Sequence, residues 1–391
     1  MKRIALLCTA LALMTAQSAV AQLTMQMGNG WSFTFAGNVN AFLTHEKEKA
    51  AGTGAGVGVI GTGLEATRIQ TGLLPAFAVF DAKGREGNTD LGVHFGFAPQ
   101  VNCALAVHDC FGAQIDMRQV FLTVGGKWGQ LLAGRELGLW NRQNILNDQT
   151  LFGVGAPGTS FTGGAGTTLG RIGFGYVYPN FVAQMTYSTV AGKPAQLSVG
   201  LFEAAALGGF NQTKTPRVEA EFTYNQNQFK FWAGGIAQNT KNVATGNSAT
   251  MAGVSGGVRY TANQFSLTGS GYAGKGVGIV LLGLQGTDGG VVGSSSLRKS
   301  LGYIAQATFT PNGSKATFAA SYGASQIKGS TDEGGSAALK NELALISGGL
   351  YYQATKSLKA VAEFDYGTDK DKVANTKNSS TTEAVGLMLF F

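Results

Sequence analysis

Along most of the chain, apolar and small polar residues alternate with the two-residue period of a strand. In WSFTFAGNVNAFLT, Trp31, Phe33, Phe35, Val39 and Leu43 share one face, and Ser32, Thr34, Asn38, Asn40 and Thr44 the other. In RIGFGYVYPNFVAQMTYST, Ile172, Phe174, Tyr176 and Tyr178 oppose Arg171, Gly173 and Gly175. A turn at Pro179-Asn180 follows, and then Phe181, Ala183, Met185 and Tyr187 oppose Val182, Gln184, Thr186 and Ser188. At the C-terminus, Val385, Leu387, Leu389 and Phe391 take one side. The pattern predicts sixteen strands, near 31–45, 65–80, 90–98, 114–125, 129–137, 170–178, 181–189, 217–224, 228–237, 251–260, 265–273, 300–309, 315–326, 343–353, 358–366 and 382–391. AQLSVGLFEA (195–204) also alternates and is assigned to a loop; if it spans with a further partner, the count becomes eighteen.

Alternation alone does not say which face meets water. The connections do. Tight turns near Gly125, Asn180, Asn227, Asn263, Asn312 and Lys356 alternate with longer loops near 46–64, 99–112, 138–168, 190–216, 238–250, 274–299, 327–342 and 367–381. Aromatics gather beside the tight turns, as in Tyr224 and Phe229 or Tyr260 and Phe265. Short turns on one side, long loops on the other and an aromatic girdle are the marks of a membrane barrel with apolar side chains turned to lipid. Composition agrees. There are 59 glycines and 7 prolines, and 13% of residues are charged, against roughly 25% in a soluble domain. Mean hydropathy is only +0.07, and beyond the N-terminus no stretch approaches the roughly 20 apolar residues of a membrane helix. The fold expected is an all-β, transmembrane antiparallel β-barrel.

MKRIALLCTALALMTAQSAVAQ reads as a secretory signal peptide over 1–21, with Lys2 and Arg3, an apolar run Ile4–Met14 and an Ala19-Val20-Ala21 cleavage site. The barrel would occupy 22–391. Loss of Lys2 and Arg3 takes two from a net charge of +7; the dispersed remainder gives no reason to expect nucleic acid. Cys103 and Cys110 lie close together in VNCALAVHDCFG. In an exported chain they read as a disulfide, with a metal pair including His108 as the rival. GVSGG around Ser255 copies a nucleophile elbow but falls mid-strand. His45, His94 and His108 lack ligand spacing, so neither a metal nor a cofactor is expected. Loop tips such as STDEGG and GTDKDK read as solvated, with contact to lipopolysaccharide or divalent cations as the second reading.

The opening strand FTFAGNVNAF, the hairpin RQVFLTVGGKWGQLLAGRELG, the stretch RIGFGYVYPNF and the terminal Phe391 together resemble the general (trimeric) outer-membrane porins of Gram-negative bacteria. The resemblance runs over the whole mature chain. It implies a homotrimer in the outer membrane, in contact with lipid and lipopolysaccharide, whose third external loop (138–168) folds into the lumen and narrows it. It also implies wall arginines opposing loop carboxylates. By position these would be Arg68, Arg135 and Arg171, with Arg118 of ambiguous facing. Asn38 stands where the family has a basic residue, and the loop side offers Asp148, Glu136 at its entrance and Arg142.

The physics of the bilayer supports part of this independently. A charge facing lipid at mid-membrane costs roughly 2–4 kcal/mol, so Arg171 belongs on the water side. The expected function is passive diffusion of small hydrophilic solutes and ions with a modest anion preference. An eighteen-stranded substrate-selective channel is the alternative, and an outer-membrane barrel enzyme the rival from another class.

Overall fold

The structure, a computed structural model, describes residues 23–391 apart from Asn29, 51–56, Thr62, 103–115, 164–165, Ala206, 208–211, 283–290 and 293–295. The signal peptide and the Cys103–Cys110 pair therefore lie outside the described residues. Sixteen antiparallel staves close into one barrel. They are β1 (Ser32–Lys49), β2 (Glu65–Gln70 and Phe77–Glu86), β3 (Thr89–Ala98), β4 (Asp116–Gly126), β5 (Gly129–Leu137), β6 (Phe181–Ser188), β7 (Ala195–Phe202) and β8 (Arg217–Gln226). Then come β9 (Phe229–Lys241), β10 (Ser248–Ala262), β11 (Phe265–Lys275), β12 (Lys299–Phe309), β13 (Ala316–Lys328), β14 (Lys340–Gln353), β15 (Leu358–Asp371) and β16 (Thr376–Phe390). Closure joins β1 to β16, from Asn38 opposite Phe390 to Lys49 opposite Ser379. Below that seam, a short N-terminal strand, Leu23–Gln26, pairs with Ser32–Phe35 of β1. Closure of β1 on β16 removes the two long edges that an open sheet of these staves would expose.

Two pieces make the second stave, because Pro75 has no N–H to give to the ladder. Both pieces pair with β1, Glu65–Gln70 with its upper part and Phe77–Lys83 with its lower part. The break between them is held from inside the barrel. Asn38 donates to the Pro75 carbonyl at 3.1 Å, Asn40 donates to the Leu74 carbonyl at 2.9 Å, and Gly72 N–H donates to Asn40 Oδ1 at 2.9 Å.

The barrel is apolar outside and polar inside. Val39, Leu43, Met185, Leu201, Leu267, Val385 and Leu387 are exposed on the outer face, whereas Asn40, Thr44, Glu46, Gln184, Thr186 and Thr382 are buried on the inner one. That is the polarity a bilayer demands.

The sequence-based count of sixteen holds, but its membership changes. Residues 170–178 are not a stave. Gly170, Gly173 and Gly175 take φ of 55°, 85° and 145°, which bends the segment into turns. Ile172, Phe174 and Tyr176 are buried inside the barrel, with Phe174 at 0% exposure. AQLSVGLF, assigned to a loop from sequence, is β7, paired with β6 and β8. Its Leu197, Val199 and Leu201 are exposed on the outer face. The short turn expected at Asn180 therefore moves to 189–194, and the third external loop spans 138–180 instead of 138–168. The loops expected at 238–250 and 367–381 shrink to 242–247 and 372–375, because the flanking staves extend further.

Two external loops are clasped together. Arg298 donates to Glu333 with Nη2 at 2.6 Å and Nε at 3.0 Å. Partial burial works against the Glu333 carboxylate, but the bonds from Arg298 and Ser330 hold its pKa below the ordinary value.

Candidate functional site: the loop inside the lumen

The third loop leaves β5 at Gly138 and returns to β6 at Asn180, and between these points it lies within the barrel. Its apolar side chains supply a core where an empty barrel would have none. Trp140, Val154, Phe174, Tyr176 and Val177 are at 0–1% exposure, packed with Val277, Ile279 and Val280 of the sixth loop. A short helix, Arg142–Leu146, and a 3-10 turn, Gln149–Phe152, shape its tip.

Three polar anchors fix this loop to the wall. At the first, the inward row of β8 takes hold. Glu219 accepts from the Trp140 N–H at 2.9 Å, and Glu221 accepts from Arg142 Nη2 at 2.6 Å and Nε at 3.1 Å. Gln143 adds a bond to Glu221 at 3.2 Å, and Arg217 stands 2.8 Å from Glu219. At the second, Arg171 is fully buried and spans to β13 and β14. Its Nη1 donates to the Leu345 carbonyl at 2.9 Å, and its Nη2 to the Ser321 carbonyl at 3.0 Å and also to Ser321 Oγ. Asp148 Oδ1 lies 3.9 Å from Arg171 Nε. The Asp148 carboxylate also accepts from Thr150 N–H at 2.9 Å, Thr150 Oγ1 at 2.7 Å and Tyr176 Oη at 2.9 Å. At the third, Glu363 of β15 accepts from Val154 N–H at 2.9 Å, Gly155 N–H at 2.5 Å and Tyr351 Oη at 2.6 Å.

Close approach at these anchors requires glycine at two points. A Cβ on Gly323 would stand 2.2 Å from the Phe174 carbonyl, and one on Gly153 would stand 2.1 Å from Glu363 Oε2.

The tip faces cations. Arg259 Nη2 donates to the Asn147 carbonyl at 3.0 Å, and Lys230 Nζ to Asn147 Oδ1 at 3.4 Å. Arg259 and Lys230 are directly paired across β9 and β10. Lys359 Nζ lies 3.9 Å above the Phe152 ring.

This arrangement differs from the one expected from sequence. Basic residues on the wall were to oppose acids on the loop; instead Arg142 and Arg171 come from the loop and meet carboxylates, carbonyls and a hydroxyl of the wall. Arg135 does not enter the lumen. It is exposed and shares the outer face of β5 with Leu131, and its partners are Val120 and Ala183. Its neighbour Glu136 points inward, accepting from Gln119 at 2.8 Å and from the Leu137 N–H at 2.7 Å. Arg118 is tied to Asp116 at 2.7 Å and lies 6.0 Å from the Phe181 ring, away from the loop tip. Arg68 is half-buried on the inward side of β2, opposite Thr44. Asn38 serves the break in the second stave. Sequence reasoning passed over Glu219, Glu221, Glu363, Lys230 and Arg259. For the three acids the signal was present: Arg217, Glu219 and Glu221 in RVEAEFTY, and Lys359, Glu363 and Asp365 in KAVAEFDY, share one strand parity opposite an apolar or small face.

The match to known proteins agrees with this architecture. The sequence fits the Gram-negative porin family over residues 7–381. The chain belongs to that family. A search of the curated proteins finds no significant match. Among solved structures, this porin resembles the outer-membrane channel DcaP of Acinetobacter baumannii, with a TM-score of 0.70 and 15% identity over 94% of this chain and 99% of that one. It also resembles the anion-selective porin from Comamonas acidovorans, at 0.62 and 14% over 92% and 100%. Salmonella typhi OmpF in complex with daunomycin follows at 0.61 and 14% over 94% and 100%. At such identities the likeness is one of fold. The porin is thus an outer-membrane channel and not an enzyme.

Proposed function

We propose that this porin is a passive diffusion channel for small hydrophilic solutes and ions, with a modest preference for anions. The observation that carries the preference is an imbalance of free charge along the inner wall. Arg68, Lys83, Lys230, Arg259 and Lys359 are inward and half-buried, and none forms an ion pair among the described residues. Inward acids, in contrast, are taken up by loop anchoring. Glu219, Glu221 and Glu363 hold the third loop; Asp369 holds the first through Val57, Gly58 and Val59. Glu46 and Asp365 are walled off at 3% and 1% exposure. Unpaired cations in a narrow aqueous path attract anions, and the attraction weakens as salt shortens the Debye length below about 10 Å.

The test is the reversal potential in a salt gradient across a planar bilayer. The wild type should favour anions several-fold at low salt. Lys230→Ala/Arg259→Ala should move the potential toward cations, and Arg135→Ala, which changes an outward side chain, should not. Cation preference in the wild type, or a shift in Arg135→Ala alone, would reject the reading.

We also propose a homotrimer. The support is an uneven wall: β5, β6 and β7 have 9, 8 and 8 residues, against 13–15 in β9, β10 and β13–β16. At about 3.3 Å per residue and a tilt of about 40°, eight residues rise roughly 20 Å, short of the roughly 25 Å apolar band of such barrels. A neighbouring copy covers such a face better than lipid does. Unheated protein should run in a mild-detergent gel at three times the mass of the heated chain; a monomer band would contradict this.

A further inference from the structure

The sixth loop joins β11 to β12, and its first limb reads GKGVGIVLL, with no charge after Lys275. In an external loop facing water, Val277, Ile279, Val280, Leu281 and Leu282 would form a contiguous apolar patch, which exposed surfaces avoid. The chain turns this run inward instead. Gly276 and Gly278 take φ of 73° and 68°, a left-handed backbone open to glycine. Val277, Ile279 and Val280 reach 0% exposure. At the rim the neck of the loop is closed, where Gly276 N–H donates to the Arg298 carbonyl at 2.9 Å. The same Arg298 is clasped to Glu333 of the seventh loop.

The inserted run meets the return limb of the third loop, beyond the Arg171 anchor. Tyr178 N–H donates to the Val280 carbonyl at 2.9 Å, and Tyr178 pairs with Leu281 in a parallel bridge. A Cβ on Gly173 would stand 3.0 Å from Val280 Cγ2 and 3.2 Å from Leu343 Cδ1 of β14, so Gly173 rests against the sixth loop and the wall at once. On the far side, a Cβ on Gly276 would stand 3.4 Å from Met251 of β10. Val277, Ile279 and Val280 share one apolar cluster with Met251, Phe174 and Tyr176. The limb also has a polar tie to the wall, from Gly175 N–H to Ser325 Oγ at 3.0 Å. The two loops thus form one packed body inside the barrel. A close-packed interior passes displacement of one part on to its neighbours, so the return limb keeps its place only while the sixth loop stays in.

We propose that the sixth loop is a second constriction element. Residues 276–281 enter the lumen and hold the return limb, 173–178, with Val280 as the positioning residue, and the two loops together set the largest solute that passes. The inference rests on the diffusion-channel reading above. It does not depend on the ion preference, because the contacts between the loops are apolar and backbone contacts.

The test is the size limit in liposome swelling, read with neutral sugars from mono- to pentasaccharides. Val280→Asp puts a carboxylate at a position of 0% exposure, and an unpartnered charge there is driven toward water. The size limit should shift to larger sugars. Heat-modifiable migration should stay as in the wild type, because residues 276–281 belong to no stave. A cysteine pair on the bridge, Tyr178→Cys/Leu281→Cys, separates positioning from general damage; Cys103→Ser/Cys110→Ser is included to remove the native thiols. The pair should oxidise in the folded porin with the size limit unchanged. In Tyr178→Cys/Val280→Asp/Leu281→Cys, the oxidised form should return to the wild-type limit, and reductant should raise it again. An unchanged limit in Val280→Asp would overturn the proposal. So would a cysteine pair that does not oxidise, or a triple variant indifferent to reductant. Those three results leave the channel reading standing, whereas a wild type that admits none of the sugars would reject that reading and the proposal with it.

Discussion

Replacing Arg171 by alanine should open the channel without opening the barrel. The Arg171 guanidinium is fully buried and carries the bonds that tie the third loop to Ser321 and Leu345. Its loss removes the donors that reach Ser321 and Leu345 and strips Asp148 of the cation 3.9 Å away. Removing one partner of a buried, hydrogen-bonded pair costs about 3–5 kcal/mol, and here the cost falls on loop docking. The barrel ladder is untouched, since Arg171 belongs to no stave. Single-channel recordings should show larger and noisier conductance steps, while the protein keeps its β-rich circular dichroism and its heat-modifiable migration. Conductance equal to the wild type would mean that the loop does not depend on this anchor.

The second large effect concerns the anchor on β8. Glu221→Leu removes the acid that receives both Arg142 and Gln143. An uncompensated guanidinium then remains at a site where Arg142 is 7% exposed. The same penalty of about 3–5 kcal/mol applies, and it is relieved only if Arg142 swings into the aqueous path. Conductance should become unstable, and anion preference should rise because a cation is released. The double variant Arg142→Met/Glu221→Leu should recover much of the lost stability, since replacing both members of a buried pair by apolar residues of similar size is often neutral. A double variant no better than Glu221→Leu alone would show that the two side chains do not act as a pair.

The anchors also show what could be read from the sequence. The barrel was legible because a lipid-facing stave must alternate, and sixteen segments do. The error in membership arose because RIGFGYVYP alternates too. Its apolar residues face a core inside the lumen, and only the positive φ of Gly170, Gly173 and Gly175 reveals turns. AQLSVGLF has the right pattern too, but with 170–178 counted as a stave it spans only if a further partner makes the total eighteen. Arg135 was misplaced for a different reason. In GQLLAGREL both Leu131 and Leu132 are apolar, so the phase of β5 is ambiguous within the strand. It is fixed only by the partner strand, where Val120 and Leu122 lie opposite Arg135 and Ala133. The loop anchors depend on contacts more than 70 positions apart, such as Arg142 with Glu221 and Arg171 with Ser321. Strand parity marks Glu221 as inward, but nothing local marks its partner.

The channel reading turns on the third loop lying in the lumen and narrowing the water path. Phe152 is on that loop, half-buried, beside Lys359 of the inner wall. In a Phe152→Cys variant, a small charged thiol reagent added to an open channel in a planar bilayer should lower its conductance in a discrete step, reversible by reductant, and the same reagent should leave the wild-type channel unchanged. Full reagent labelling of Phe152→Cys with no change in conductance would place the loop outside the conducting path and contradict the account.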